Sequence, residues 1–96
     1  MEIVHIANPG RGHFAAIENN TEAGSIHYTV AGNNMIISHT EVADAWEGKG
    51  VGKQLVAAAV QHARTTGWHI IPLCTFAKAV LGRNAQWQDV LAPGHR

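Results

Sequence analysis

The chain has 96 residues, 46% of them hydrophobic and only 15% charged. That is enough apolar material for one small core, and it excludes a disordered tail. Seven Lys and Arg balance seven Asp and Glu, which argues against a dedicated nucleic-acid or membrane-surface binder.

The balance conceals a split. Residues 1–48 carry Arg11 as their one cation against six acids, whereas residues 49–96 carry six cations against Asp89 alone. Such asymmetry suits an anionic ligand for the second half, or a folded surface that simply mixes the two. Cys74 is the single cysteine, so neither an intramolecular disulfide nor a cysteine-based zinc site is expected. The start MEIVHIANPGRGHF lacks a basic segment followed by a long apolar run, and the apolar runs elsewhere are too short to span a bilayer. The expectation is one cytoplasmic domain over residues 1–96, monomeric or a weak homodimer.

Residues 1–42 read as strands separated by turns. A first strand runs from Glu2 to the Asn8-Pro9-Gly10 step, and a second covers residues 13–18 before Asn19-Asn20. Residues 25–31, rich in β-branched and aromatic side chains, form a third. Gly32-Asn33-Asn34 is a hairpin-type turn leading into a fourth strand over residues 35–42. Short connections throughout predict an antiparallel meander.

The pattern then becomes helical. Val51, Leu55, Ala58, Ala59 and His62 form an apolar stripe, with Lys53, Gln54, Gln61 and Arg64 on the other side, and Gly67 is placed to end the helix. Residues 68–73 (WHIIPL) form a continuously apolar fifth strand. A strand–helix–strand unit implies a right-handed crossover, so this strand runs parallel to the fourth. Pro72 cannot donate a ladder hydrogen bond and should end the pairing. Residues 75–81 and 85–91 read as two short helices. The fold class is α+β: a mixed sheet made of a meander, one β-α-β crossover and short C-terminal helices.

Three features could carry chemistry. The first is Glu47-Gly48-Lys49-Gly50-Val51-Gly52-Lys53. Glycines let backbone N–H groups turn toward an anion, and the helix behind them adds its positive dipole end. Lys53 in the first helical turn is unfavourable unless an anion compensates it. The P-loop pattern fails, since Glu47 stands where it needs glycine and Gln54 where it needs Ser or Thr. The dinucleotide fingerprint fails too, because Lys53 occupies its third glycine position.

The second feature is Cys74, between a strand and a helix, where helical amides favour a thiolate; a buried space-filler is the alternative. The third is His39 with Glu41, which strand alternation places on one face as either a general base or a solvated pair. The remaining histidines show no i, i+4 pair, and no metal site is expected. Arg83, Asn84 and Trp87 could meet a ligand, or Trp87 could dock the terminal helix onto the core.

Together these segments resemble a known family. His39-Thr40-Glu41-Val42, the loop ending Gly50-Val51-Gly52, Pro72-Leu73-Cys74-Thr75-Phe76, and Arg83-Asn84 with Trp87 look like the minimal, single-domain branch of the GNAT acetyltransferases. The resemblance implies an acyl-CoA N-acyltransferase fold in which the fourth and fifth strands splay and acetyl-CoA enters the gap as cosubstrate. It maps cofactor binding onto Val42, Glu47, Gly48, Lys49, Gly50, Val51, Gly52, Lys53, Cys74, Phe76, Arg83 and Asn84. Glu47 departs from the family's usual Gln or Arg. Catalytic roles fall on Cys74, Glu41 and His39, acting on a small-molecule or protein amine. A non-catalytic acyl-CoA-binding regulatory module is the competing reading.

Overall fold

A computed structural model describes residues 1–95. Five strands form one sheet in the order β1 (Glu2–Asn8), β2 (Arg11–Glu18), β3 (Thr21–Ala31), β4 (Asn34–Val42) and β5 (His69–Pro72). The first four pair antiparallel and β5 runs parallel to β4. This is the expected meander closed by a crossover. The crossover helix α1 (Val51–Thr66) lies between glycines in left-handed conformation, Gly50 at φ 79° and Gly67 at φ 79°. Helix α2 (Thr75–Arg83) follows β5, and the last segment, Ala85–Val90, winds as a tighter 3₁₀ helix.

Two bulges extend and redirect the strands. β3 starts at Thr21, four residues earlier than its β-branched run suggests, because Ala23 bulges between the pairs Ala16–Gly24 and Ile17–Glu22. In β4, Tyr28 pairs with Ile37 while His27 pairs with His39, so Ser38 is an extra residue. An extra residue reverses which side chains face inward. Met35 and Ile37 point into the core ahead of it. After it, alternation turns Thr40 and Val42 to that side and puts His39 and Glu41 on the opposite face.

One core lies between the sheet and the helices. Phe14, Ile26, Tyr28, Met35 and Ile37 meet Leu55, Val56, Ala59 and Val60 of α1, with Val80 and Leu81 of α2 beside them. Trp87 and Leu91 are buried in the same cluster, so Trp87 docks the terminal segment rather than facing solvent. Arg64 fixes that segment to α1 through a two-pronged contact with Asp89, at 2.7 and 3.1 Å, and a bond to the Gln86 carbonyl. No helix among the described residues is long and apolar enough to cross a membrane.

Candidate active site

The sheet opens where β5 ends. Pairing between β4 and β5 stops at Ile37–Pro72, yet β4 continues to Val42. Pro72 has no N–H to extend the ladder. The amides of Leu73 and Cys74 both turn back onto the Ile37 carbonyl, at 3.0 and 3.1 Å, and the chain leaves the sheet there. Leu73 is 65% exposed there, and Phe76, 40% exposed, lines the resulting gap.

The gap is a cavity of about 430 Å³, within the range of small-molecule sites. Thr40 and Val42 of β4 form one wall, Phe76, Val80 and Arg83 of α2 another, and Gly50, Val51, Gly52 and Lys53 the floor at the start of α1. Trp46, Glu47 and Gly48 close the end. Gly48 and Gly50 sit at φ 75° and 79° with open space where a side chain would be. At Gly52 the reverse holds, since a Cβ there would run into the Phe76 ring.

The start of α1 is built to receive an anion. Gly50 offers no capping side chain, and the first turn holds no acidic residue. The Gln54 amide bonds the Gly50 carbonyl at 3.1 Å; by helix geometry the amides of Val51, Gly52 and Lys53 precede it without intrahelical acceptors. They line the cavity with Lys53 and Arg83, which suits the multiply charged phosphates of a CoA-type ligand. Glu47 is the one acid in that lining.

Cys74 lies beside this cavity rather than in its lining, with Sγ 3.5 Å from Thr40 Oγ1. Burial pushes its thiol up, but hydrogen bonds with the Thr40 side chain and with the backbone of Ala77, Phe76 and Thr40 outweigh that and bring it down. His39 and Glu41 pair with each other at 3.3 Å and are 58% and 65% exposed on the uncovered face. Lys49 is spent on the Trp46 ring, its Nζ 5.4 Å from the centroid. Asn84 donates to the Val80 carbonyl at 2.7 Å. Neither of these two lines the cavity.

Of the residues singled out in the sequence, the structure brings nine into one cavity: Val42, Glu47, Gly48, Gly50, Val51, Gly52, Lys53, Phe76 and Arg83. Thr40, Trp46 and Val80 also line it and were missed. Val80 was recoverable, because Phe76, Val80 and Arg83 follow the i, i+4, i+7 spacing of one helix face.

Residues 13–90 match the family described as GCN5-related N-acetyl-transferase. The chain resembles a GCN5-like protein from Staphylococcus aureus with 37% identity and a TM-score of 0.69, over 93% of this chain and 87% of that one. A Bacillus anthracis protein classed as a streptothricin acetyltransferase, solved in complex with acetyl coenzyme A, is 28% identical with a TM-score of 0.61. That likeness covers 70% of this chain and 40% of the other. A GNAT-family protein from Desulfovibrio desulfuricans shares the fold at 24% identity and a TM-score of 0.62, over 66% of this chain and 43% of that one. The chain thus spans less than half the length of the latter two. No curated protein matches it. The family match over residues 13–90, joined to the likeness to the S. aureus protein, shows that the chain belongs to the GCN5-related N-acetyltransferases.

Proposed function

We propose that the chain transfers the acetyl group of acetyl-CoA to an amine. The observation that carries this reading is the gap between β4 and β5, which has unpaired helix-start amides at one end and the Cys74 thiol, shifted down, beside Thr40 at the other. The acetyl coenzyme A bound to the B. anthracis relative supports acetyl-CoA as the cosubstrate.

When bound, acetyl-CoA supplies a thioester whose carbon–sulfur bond breaks as the acetyl carbon bonds to the amine nitrogen. The amides of Val51, Gly52 and Lys53, with the Lys53 and Arg83 side chains, hold the pyrophosphate. Thr40, Val42, Phe76 and Val80 exclude water from the pantetheine arm. The amine approaches the gap from the uncovered sheet face, where Glu41, with His39 against it, takes the proton it releases. Cys74 has two roles available: as thiolate it accepts the acetyl group, or as thiol it gives a proton to the departing CoA thiolate. CoA release is measured with a panel of amines and protein lysines, for wild type and Cys74→Ala. Turnover well above hydrolysis supports transfer. An acetyl increment in intact mass without acceptor, absent in Cys74→Ala, assigns the thiolate role; its absence assigns direct transfer.

A second reading is a non-catalytic acyl-CoA-binding module. It draws on Glu47 in the cavity lining and on the placement of His39 and Glu41 outside it. Saturable acetyl-CoA binding with no release to any acceptor is the result that selects it.

A further inference from the structure

The sheet face that the described helices leave uncovered carries three histidines at one register position. His13, His27 and His39 stand side by side across β2, β3 and β4. The His13 and His27 rings stack with centroids 4.9 Å apart, and His27 lies 6.1 Å from His39. The row ends at Glu41, whose Oε2 is 3.3 Å from His39 Nε2. Two residues along β2 from His13, and paired with Thr29, is Arg11.

Between Arg11 and the row lies a cleft of about 310 Å³, lined by Asn8, Arg11, His13, His27, Thr29 and Ser38 together with Gly12 and Tyr28. Apart from Tyr28, every ionisable side chain in that lining is a base. Asn8 and Thr29 bring N–H and O–H donors, whereas the Ser38 hydroxyl is donated to the His27 carbonyl at 3.4 Å. Arg11 has no salt bridge among the described residues. Burial, then His13 and His39, push His27 down despite the opposite pull of Glu22 and Glu41, so Arg11 is the permanent cation of the cleft. Stacked imidazoles turn faces rather than nitrogens toward each other. Among the described residues no group of three or more His, Cys, Asp or Glu is placed to hold a metal ion. Within the lining itself no carboxylate stands against Arg11.

We propose that the cleft binds the anionic group, a carboxylate or a phosphate, of the amine acceptor, so that the protein selects amines bearing an acid on a spacer. The amine half of this inference rests on the acetyl-transfer reading; the anion site does not. Two strand steps separate the His39–Glu41 pair from His13, so the spacer is roughly 10 Å. An α-amino acid is too short. An ω-amino acid of eight carbons fits, as does a lysine beside an acidic residue.

Octylamine, 8-aminooctanoate and 8-aminooctyl phosphate test this as acceptors. The same compounds are titrated without acetyl-CoA while the imidazole resonances of His13 and His27 are followed. The expected result is a KM about tenfold lower for the anionic amines than for octylamine at similar kcat. Arg11→Ala removes that advantage, and Arg11→Glu transfers it to 1,8-diaminooctane. The imidazole shifts saturate with the anionic compounds only, and whichever of carboxylate and phosphate shifts them at lower concentration is the source preferred. Equal KM values with no imidazole shift overturn the anion site and leave acetyl transfer standing. Saturable, Arg11-dependent shifts with no acetylation of any amine overturn acetyl transfer and leave the anion site standing.

Discussion

Cys74 Sγ lies 3.5 Å from Thr40 Oγ1, across the point where β5 stops pairing with β4. The contact joins a strand whose inward face was reset by the Ser38 bulge to the turn after Pro72. It also brings the thiol down from its ordinary value, against the upward push of burial. Removing a partner that stabilises the thiolate raises the thiol again. Thr40→Val therefore moves the pH midpoint of Cys74 alkylation by iodoacetamide upward. An unchanged midpoint would show that the hydroxyl has no such role.

Cys74→Ala should lower kcat about 100-fold, the range typical of a lost proton-transfer group. Acetyl-CoA affinity should change little, because Cys74 does not line the cavity. Stopped-flow turnover combined with calorimetry separates the two quantities. A large loss of affinity with intact turnover would contradict the role.

Gly52→Ala probes the close approach between α1 and α2. The added Cβ collides with the tip of the Phe76 ring. That ring is partly exposed and can swing aside, but the space available to it is the cavity. The cost should appear as roughly tenfold weaker acetyl-CoA binding, with a modest drop in Tm of the kind that overpacking causes. Pairing Gly52→Ala with Phe76→Leu should restore part of the affinity.

Acid should destabilise the fold. His5 is pushed down by burial, then by His62 and His13; burial also lowers His27 and His62. Folded-state values below the unfolded one mean that the unfolded chain binds protons first, so stability rises with pH across this range. Stability is full above about 6.5, the ordinary histidine value, and is lost as pH falls through the lower folded-state values. Melting curves should show Tm falling as pH is lowered from about 7.5 to about 5. His62→Gln should flatten that decline, since it removes one titrating ring and its repulsion on His5, whose ring centroid is 4.4 Å away.

Much of the fold was legible because its signals are local. The turns at Asn8-Pro9-Gly10 and Gly32-Asn33, the glycines bounding α1, and Pro72 each act within a few residues. Register is not local. The bulge at Ser38 has no mark in the sequence, yet it decides that Thr40 lines the cavity and that His39 and Glu41 do not. The same applies to the histidine row: positions 13 and 39 are far apart along the chain, and only the pairing of β2, β3 and β4 aligns His13, His27 and His39. Thr40 stands in the His39-Thr40-Glu41-Val42 motif without a role of its own, because a strand threonine is chemically unremarkable until a thiol is found beside it.

The seat of acetyl-CoA in the β4–β5 gap is the claim on which the rest depends, and backbone amide NMR shifts during an acetyl-CoA titration test it most directly. Saturable shifts are expected at Gly48, Gly50, Val51, Gly52, Lys53, Phe76 and Arg83, with little change at His13 and His27. Shifts confined to the His13–His39 face, or none at millimolar acetyl-CoA, would contradict it.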